Sequence, residues 1–316
     1  MLAASSEPSG EHSENHSGPA FADANGIRLC YETFGERSDP PIVLIMGLAA
    51  QMIVWDDDFC RELAARGRFV VRFDNRDIGL STRFPEQHTP RMFEILVSQL
   101  ARVKPKARYT LVDMARDTVG LMDALGLASA HIVGVSMGGA IAQEIAINFR
   151  SRIRTLTSIM SSTGDSNVPP PTLGAMGALL RRSQASKEAY LDQYVKTWRT
   201  LAGNHFPFDA ERTRAQGANG FERGPNPAGV ARQMMAIVAS GNRKPQLRKL
   251  SIPTLIIHGT ADPLMRFKAA PDLQATIPGA KLVAIEGMGH TLPRAAWPQI
   301  LGPIEILTSL ENGPSA

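Results

Sequence analysis

From residue 26 onward, short apolar runs alternate with longer stretches of helical period, a pattern that few folds accept. The runs at 41–47, 69–73, 131–135, 153–160, 253–258 and 281–285 read as strands buried on both faces, because they do not alternate with polar residues. Residues 55–66, 111–125, 137–149, 268–277 and 297–310 read as helices between them. Strand and helix in repeated alternation mean an α/β chain with a mainly parallel sheet and helices on both faces.

The alternation fails between about 165 and 246, where Pro169, Pro170 and Pro171 open a helical stretch without a buried-strand run. The expected organisation is a disordered tail over 1–22, a core over 23–164 and 247–316, and an inserted helical cap over 165–246. From Ser166 to Gln246 there are eleven bases against five acids, a net +6, which leaves −2 for the rest of the +4 chain. The simpler reading of that excess is a solvated arginine surface; the alternative is attraction of anionic substrates into the entrance.

At 316 residues, 43% hydrophobic and 20% charged, the chain can build a core without disulfide or metal staples. Its longest apolar run falls short of the ~20 residues that span a bilayer, so membrane insertion is not expected. The balance of 34 bases and 30 acids holds no basic run of the kind that binds nucleic acid. Cys30 and Cys60 read as buried free thiols. The N-terminal residues carry neither a basic start nor an apolar stretch, so a cytoplasmic location is expected.

Directly after the strand ending at Val135 comes Gly134-Val135-Ser136-Met137-Gly138, followed at once by a helix. Strand, Gly-x-Ser-x-Gly, helix is the nucleophile elbow. The serine must sit on a strained turn, and a side chain at either flanking glycine would strike neighbouring backbone. The helix N-terminus favours the negative charge that develops there. With this motif, the stretch GLAAQMIVWDDDFCRELAARGRFVVRFDNRDIGLSTRF (47–84) resembles the α/β-hydrolase superfamily, and within it the capped serine carboxylesterases and aclacinomycin methylesterase-like proteins.

A serine hydroxyl needs a general base, normally a histidine oriented by a carboxylate. His12 and His16 lie in the expected tail, His205 in the cap and His131 at the far end of its strand, which leaves His258 and His290 as serious candidates. His88 violates the family order of serine, acid, histidine. That order, which the resemblance supplies, selects His290 after the last strand and Asp262 after the strand before it, with Asp165 as the alternative acid. The oxyanion donors implied are the backbone N–H groups of Met137 and Leu48, although Met46 stands where relatives often carry histidine. The block 74–81, Asp-Asn-Arg-Asp-Ile-Gly-Leu-Ser, is implied to be a structural loop whose charges pair internally.

The resemblance implies a carboxylesterase that acts on small-molecule esters of short to medium acyl length. No nucleotide or metal motif is present, so no cofactor and no metal are expected. A perhydrolase or carbon–carbon bond hydrolase with the same triad, a proline iminopeptidase and a non-catalytic ligand-binding protein of this fold are the alternatives.

Overall fold

The computed structural model describes residues 16–85, 105–179 and 186–309. All six expected strands form: β3 (Pro41–Ile45), β4 (Phe69–Phe73), β5 (Ala130–Val135), β6 (Ile153–Ile159), β7 (Thr254–Gly259) and β8 (Lys281–Ile285). Two more precede them, β1 (Ala20–Ala24) and β2 (Ile27–Phe34), in the sheet order β1-β2-β4-β3-β5-β6-β7-β8. The last six in that order run parallel, while β1 and β2 pair antiparallel at one edge.

Part of the expected disordered tail is therefore structured. Asn25 and Gly26, with φ of 51° and 75°, make the tight turn that folds β1 onto β2. Ahead of it, His16 stacks on Phe34 at 4.3 Å and contacts Glu32. Residues 1–15, including His12, lie outside the described residues, as do His88 and the end of the helix expected to run to 310.

Helices cover both faces of the sheet, which is why its strands are apolar without alternation. Val43 and Ile45 pack with α2 (Leu111–Ala124) and α3 (Met137–Asn148) on one face; Ile42 and Leu44 pack with α1 (Asp57–Ala65) on the other. Caps match the start signals, since Asp56 accepts from the Asp58 N–H and Thr110 with Asp113 closes a capping box. Between β6 and β7 stand α4 (Leu173–Leu179), α5 (Lys187–Leu201), α6 (Ala210–Glu222), α7 (Pro227–Ser240) and α8 (Lys244–Leu247). After β7 come α9 (Ala269–Thr276) and, beyond β8, α10 (Trp297–Ser309). Cys30 and Cys60 are buried and unlinked. Among the described residues no helix is long and apolar enough to cross a membrane.

The chain turns back at β3, with β4 on one side and β5 on the other. In an open parallel sheet, the crevice outside the strand carboxyl ends at such a reversal is where ligands bind. The loops after β3 and β5 flank that point.

Candidate active site

Ser136 lies in that crevice, immediately after β5, with φ 55° and ψ −117°. A positive φ on a residue with a Cβ costs energy, and it is held here by the Ser136 N–H donating to the Ile159 carbonyl at 2.8 Å. The glycines are needed for contact. A Cβ on Gly134 would meet the Gly138 carbonyl oxygen at 2.1 Å, and one on Gly138 would meet the Ile45 carbonyl oxygen at 2.1 Å. The elbow therefore packs directly on the end of β3. Met137 begins α3, where a backbone N–H has no carbonyl one turn back to bond.

The loop after β3 lies against the serine, since a Cβ on Gly47 would be 3.2 Å from the Ser136 Cβ. Two hydrogen bonds with distant residues hold this loop. Asn75 Nδ2 donates to the Met46 carbonyl at 2.8 Å, and the Ala49 N–H donates to Gln233 Oε1 on α7 at 3.2 Å. Gln233 also donates to the Arg76 carbonyl at 2.9 Å, tying both loops to the helical segment between β6 and β7, the position of the expected cap and called so below. Leu48, between these anchors, is half-buried against the core.

Asp262 and His290 come together from successive loops at the same sheet edge. His290 Nδ1 lies 2.7 Å from Asp262 Oδ2, and Asp262 Oδ1 accepts from the N–H groups of Leu264 and Met265, each at 2.8 Å. The two loops are joined by the Ala261 N–H donating to the Met288 carbonyl at 3.1 Å. Burial opposes charge on Asp262, but the His290 charge and hydrogen bonds from His258 and His290 outweigh it and hold the carboxyl below the ordinary range. Carboxylate, imidazole and serine all leave the carboxyl edge of parallel strands, β7, β8 and β5, with β6 between β5 and β7.

His131 and His205 stand apart from this arrangement, while His258 borders it, its Nε2 3.5 Å from Asp262 Oδ2. His131 is buried at the start of β5 against Thr155 Oγ1, and His205 lies in the cap. His258 is fully buried in β7, with Nε2 2.7 Å from the Met265 carbonyl oxygen. Asp165 pairs with Lys244 at 2.8 Å.

The charges of 74–81 do not pair internally. Asp74 binds Arg223 of the cap, Asp77 binds Arg232 at 2.7 Å, and Arg76 reaches Asp117 on α2. Several of the cap's bases are held in ion pairs. Arg212, Arg223, Arg232 and Lys244 meet the core carboxylates of Asp56, Asp74, Asp77 and Asp272, while Arg214 is taken by Glu188 and Asp192. A second attachment is made of backbone. The His290 N–H donates to the Leu201 carbonyl at 2.7 Å, Gly289 to Ala202 at 3.1 Å, and Asn204 to Gly287 at 3.4 Å.

The alpha/beta hydrolase fold family model matches residues 40–293. The Rhodomycin D methylesterases DauP of Streptomyces sp. (strain C5) and DnrP of Streptomyces peucetius are each 30% identical over 293 residues, 85% of this chain and 91% of theirs. A solved hydrolase from Pseudomonas aeruginosa PA01 superposes with a TM-score of 0.64 at 23% identity, covering 94% of this chain and 99% of that one. The esterase EaEST from Exiguobacterium antarcticum gives 0.67 at 20% identity, covering 93% and 99%. These two structures speak for the fold alone. The chain belongs to the α/β-hydrolase family, and it is a hydrolase of the esterase-like group within it.

Proposed function

We propose that the protein is a serine carboxylesterase. The observation that carries this reading is the buried Asp262 carboxylate, bonded to His290 at 2.7 Å on the sheet edge where Ser136 sits in its strained elbow. In the reaction, Ser136 Oγ attacks the ester carbonyl as its proton passes to His290 Nε2, while Asp262 holds the imidazole at Nδ1. The N–H groups of Leu48 and Met137 take the oxyanion. Collapse expels the alcohol, which leaves with the proton from His290, and forms the acyl-enzyme. Water then attacks, giving its proton to His290, and collapse returns that proton to Ser136 and frees the acid.

The loop after β3 supports a reading of the substrate class. Its single glycine is already close to Ser136, so an alcohol branched next to the ester oxygen meets Gly47 and Leu48 as the tetrahedral centre forms. The methylesterase relatives, named for removing the smallest alcohol, support the same reading. We assign esters of primary alcohols, methyl esters above all, with acids of short to medium length, under a cap over 165–246. A methyl ester should exceed the tert-butyl ester of the same acid in kcat/KM by at least about a hundredfold, or about 2.7 kcal/mol. Equal values would show an open loop. Loss of turnover in Ser136→Ala and His290→Ala, with folding retained, tests the roles themselves. Activity that survived in His290→Ala but not in His258→Ala would move the base to His258.

A further inference from the structure

We infer that His258 is a positioning residue, which fixes the turn 262–265 and through it the oxygen of Asp262 that faces His290. This rests on the serine-esterase reading above.

The imidazole is 0% exposed, and its Nδ1 has no hydrogen-bond partner. A buried orphan acceptor costs about 1–3 kcal/mol, which an apolar side chain in the same space would avoid. What the ring supplies is therefore at Nε2. Both neighbours of that atom are acceptors, the Met265 carbonyl oxygen at 2.7 Å and Asp262 Oδ2 at 3.5 Å. Nε2 is therefore the donor to them.

The consequence for the turn is specific. Met265 is held from both sides, its N–H by Asp262 Oδ1 at 2.8 Å and its carbonyl by His258. The turn is thus closed around the carboxylate and tied to β7, where His258 is in register with Ala284 of β8. Phe267 meets the imidazole edge-on at 6.0 Å and sets its plane. Asp262 lies beyond the strand, where its N–H donates to the Gly259 carbonyl at 3.3 Å, a backbone bond that leaves the direction of the side chain to the turn. An unanchored carboxylate would leave the His290 ring free to turn, and a misplaced base costs rate with little effect on binding.

Three substitutions separate this role from packing. The amide nitrogen of Gln falls where Nε2 lies, that of Asn where Nδ1 lies, and Met fills the space without a donor. We expect His258→Met to lose at least about tenfold in kcat with KM within about twofold, and His258→Gln to keep at least about a third of kcat. The low-field proton signal of the His290–Asp262 bond, identified by its loss in His290→Ala, should persist in the Gln variant and broaden in the Met variant. Unchanged kcat in His258→Met overturns the inference. If that variant does not fold, the Gln and Asn pair decides: Gln above Asn by about fivefold or more in kcat supports the role, and anything less overturns it. Should Ser136→Ala or His290→Ala remain active in the same assay, the esterase reading fails instead.

Discussion

The cap meets the core along two seams of opposite character. One is ionic: Arg223 and Arg232 reach Asp74 and Asp77, both carboxylates 0% exposed, in the loop after β4. The other is a backbone clasp, in which Leu201, Ala202 and Asn204 bond to the segment Gly287–His290. The first seam pins the cap to the loop after β4 through buried ion pairs, which are costly to break from one side, and through Gln233 it braces the loop after β3. The second seam bonds the backbone of the His290 loop itself, at 2.7 to 3.4 Å, and so fixes how that loop is turned. On the proposed mechanism, each half of the site borrows a different part of the cap, and the cap is catalytic scaffold as well as cover.

The ionic seam should break with the largest loss of stability. Asp77→Ala takes the carboxylate from a guanidinium that is 1% exposed and also removes the partner of Tyr109, so unfolding in urea should show a loss of about 3–5 kcal/mol. A loss under about 1 kcal/mol would mean that the pair does not hold the cap.

Acid sensitivity should come from neither seam. His131, at the opposite sheet edge, has its pKa lowered to about 3 by burial, aided by Arg154 and Arg68. Between 6.5 and about 3 the unfolded chain therefore binds the proton and the folded chain does not. This contribution to stability is present above 6.5 and is lost as pH falls toward 3, at about 1.4 kcal/mol per unit. His131→Val should flatten the stability profile over that range while leaving kcat within about twofold. A profile as steep as the parent's would place the sensitivity in the seams.

The clasp should break with a smaller loss of stability and a clear loss of rate. A Cβ on Gly203, where φ is +82°, would lie 2.6 Å from both the Gly287 oxygen and the Gly289 nitrogen. Gly203→Ala should thus lower kcat about tenfold for about 1–2 kcal/mol of stability. Equal kcat would show that His290 is oriented without the cap. The smallest effect belongs to the half-exposed pair of Arg212 with Asp56, where Arg212→Ala should cost no more than about 1 kcal/mol and leave kcat unchanged.

The parallel sheet was legible because burial on both faces writes itself as unbroken apolar runs such as Pro41–Ile45. The edge hairpin was not, because β1 has the sequence Ala-Phe-Ala-Asp-Ala and one exposed face. Its usable signal is the Asn25-Gly26 turn. Ser136 is legible from its neighbours in the chain, and Asp262 and His290 from their places after β7 and β8. Asn75 on Met46 and Gln233 on Ala49 are contacts across 29 and 184 residues that leave no local pattern. The outward pairing of Asp74 and Asp77 was missed for the same reason, since their arginines lie in another segment.

The most direct measurement is peptide mapping after titration with an active-site fluorophosphonate. The account predicts one equivalent bound, on Ser136, with ester turnover lost in proportion, and no labelling of the His290→Ala variant on the same timescale. Full inactivation with the label on another residue, or full turnover with Ser136 modified, would contradict it.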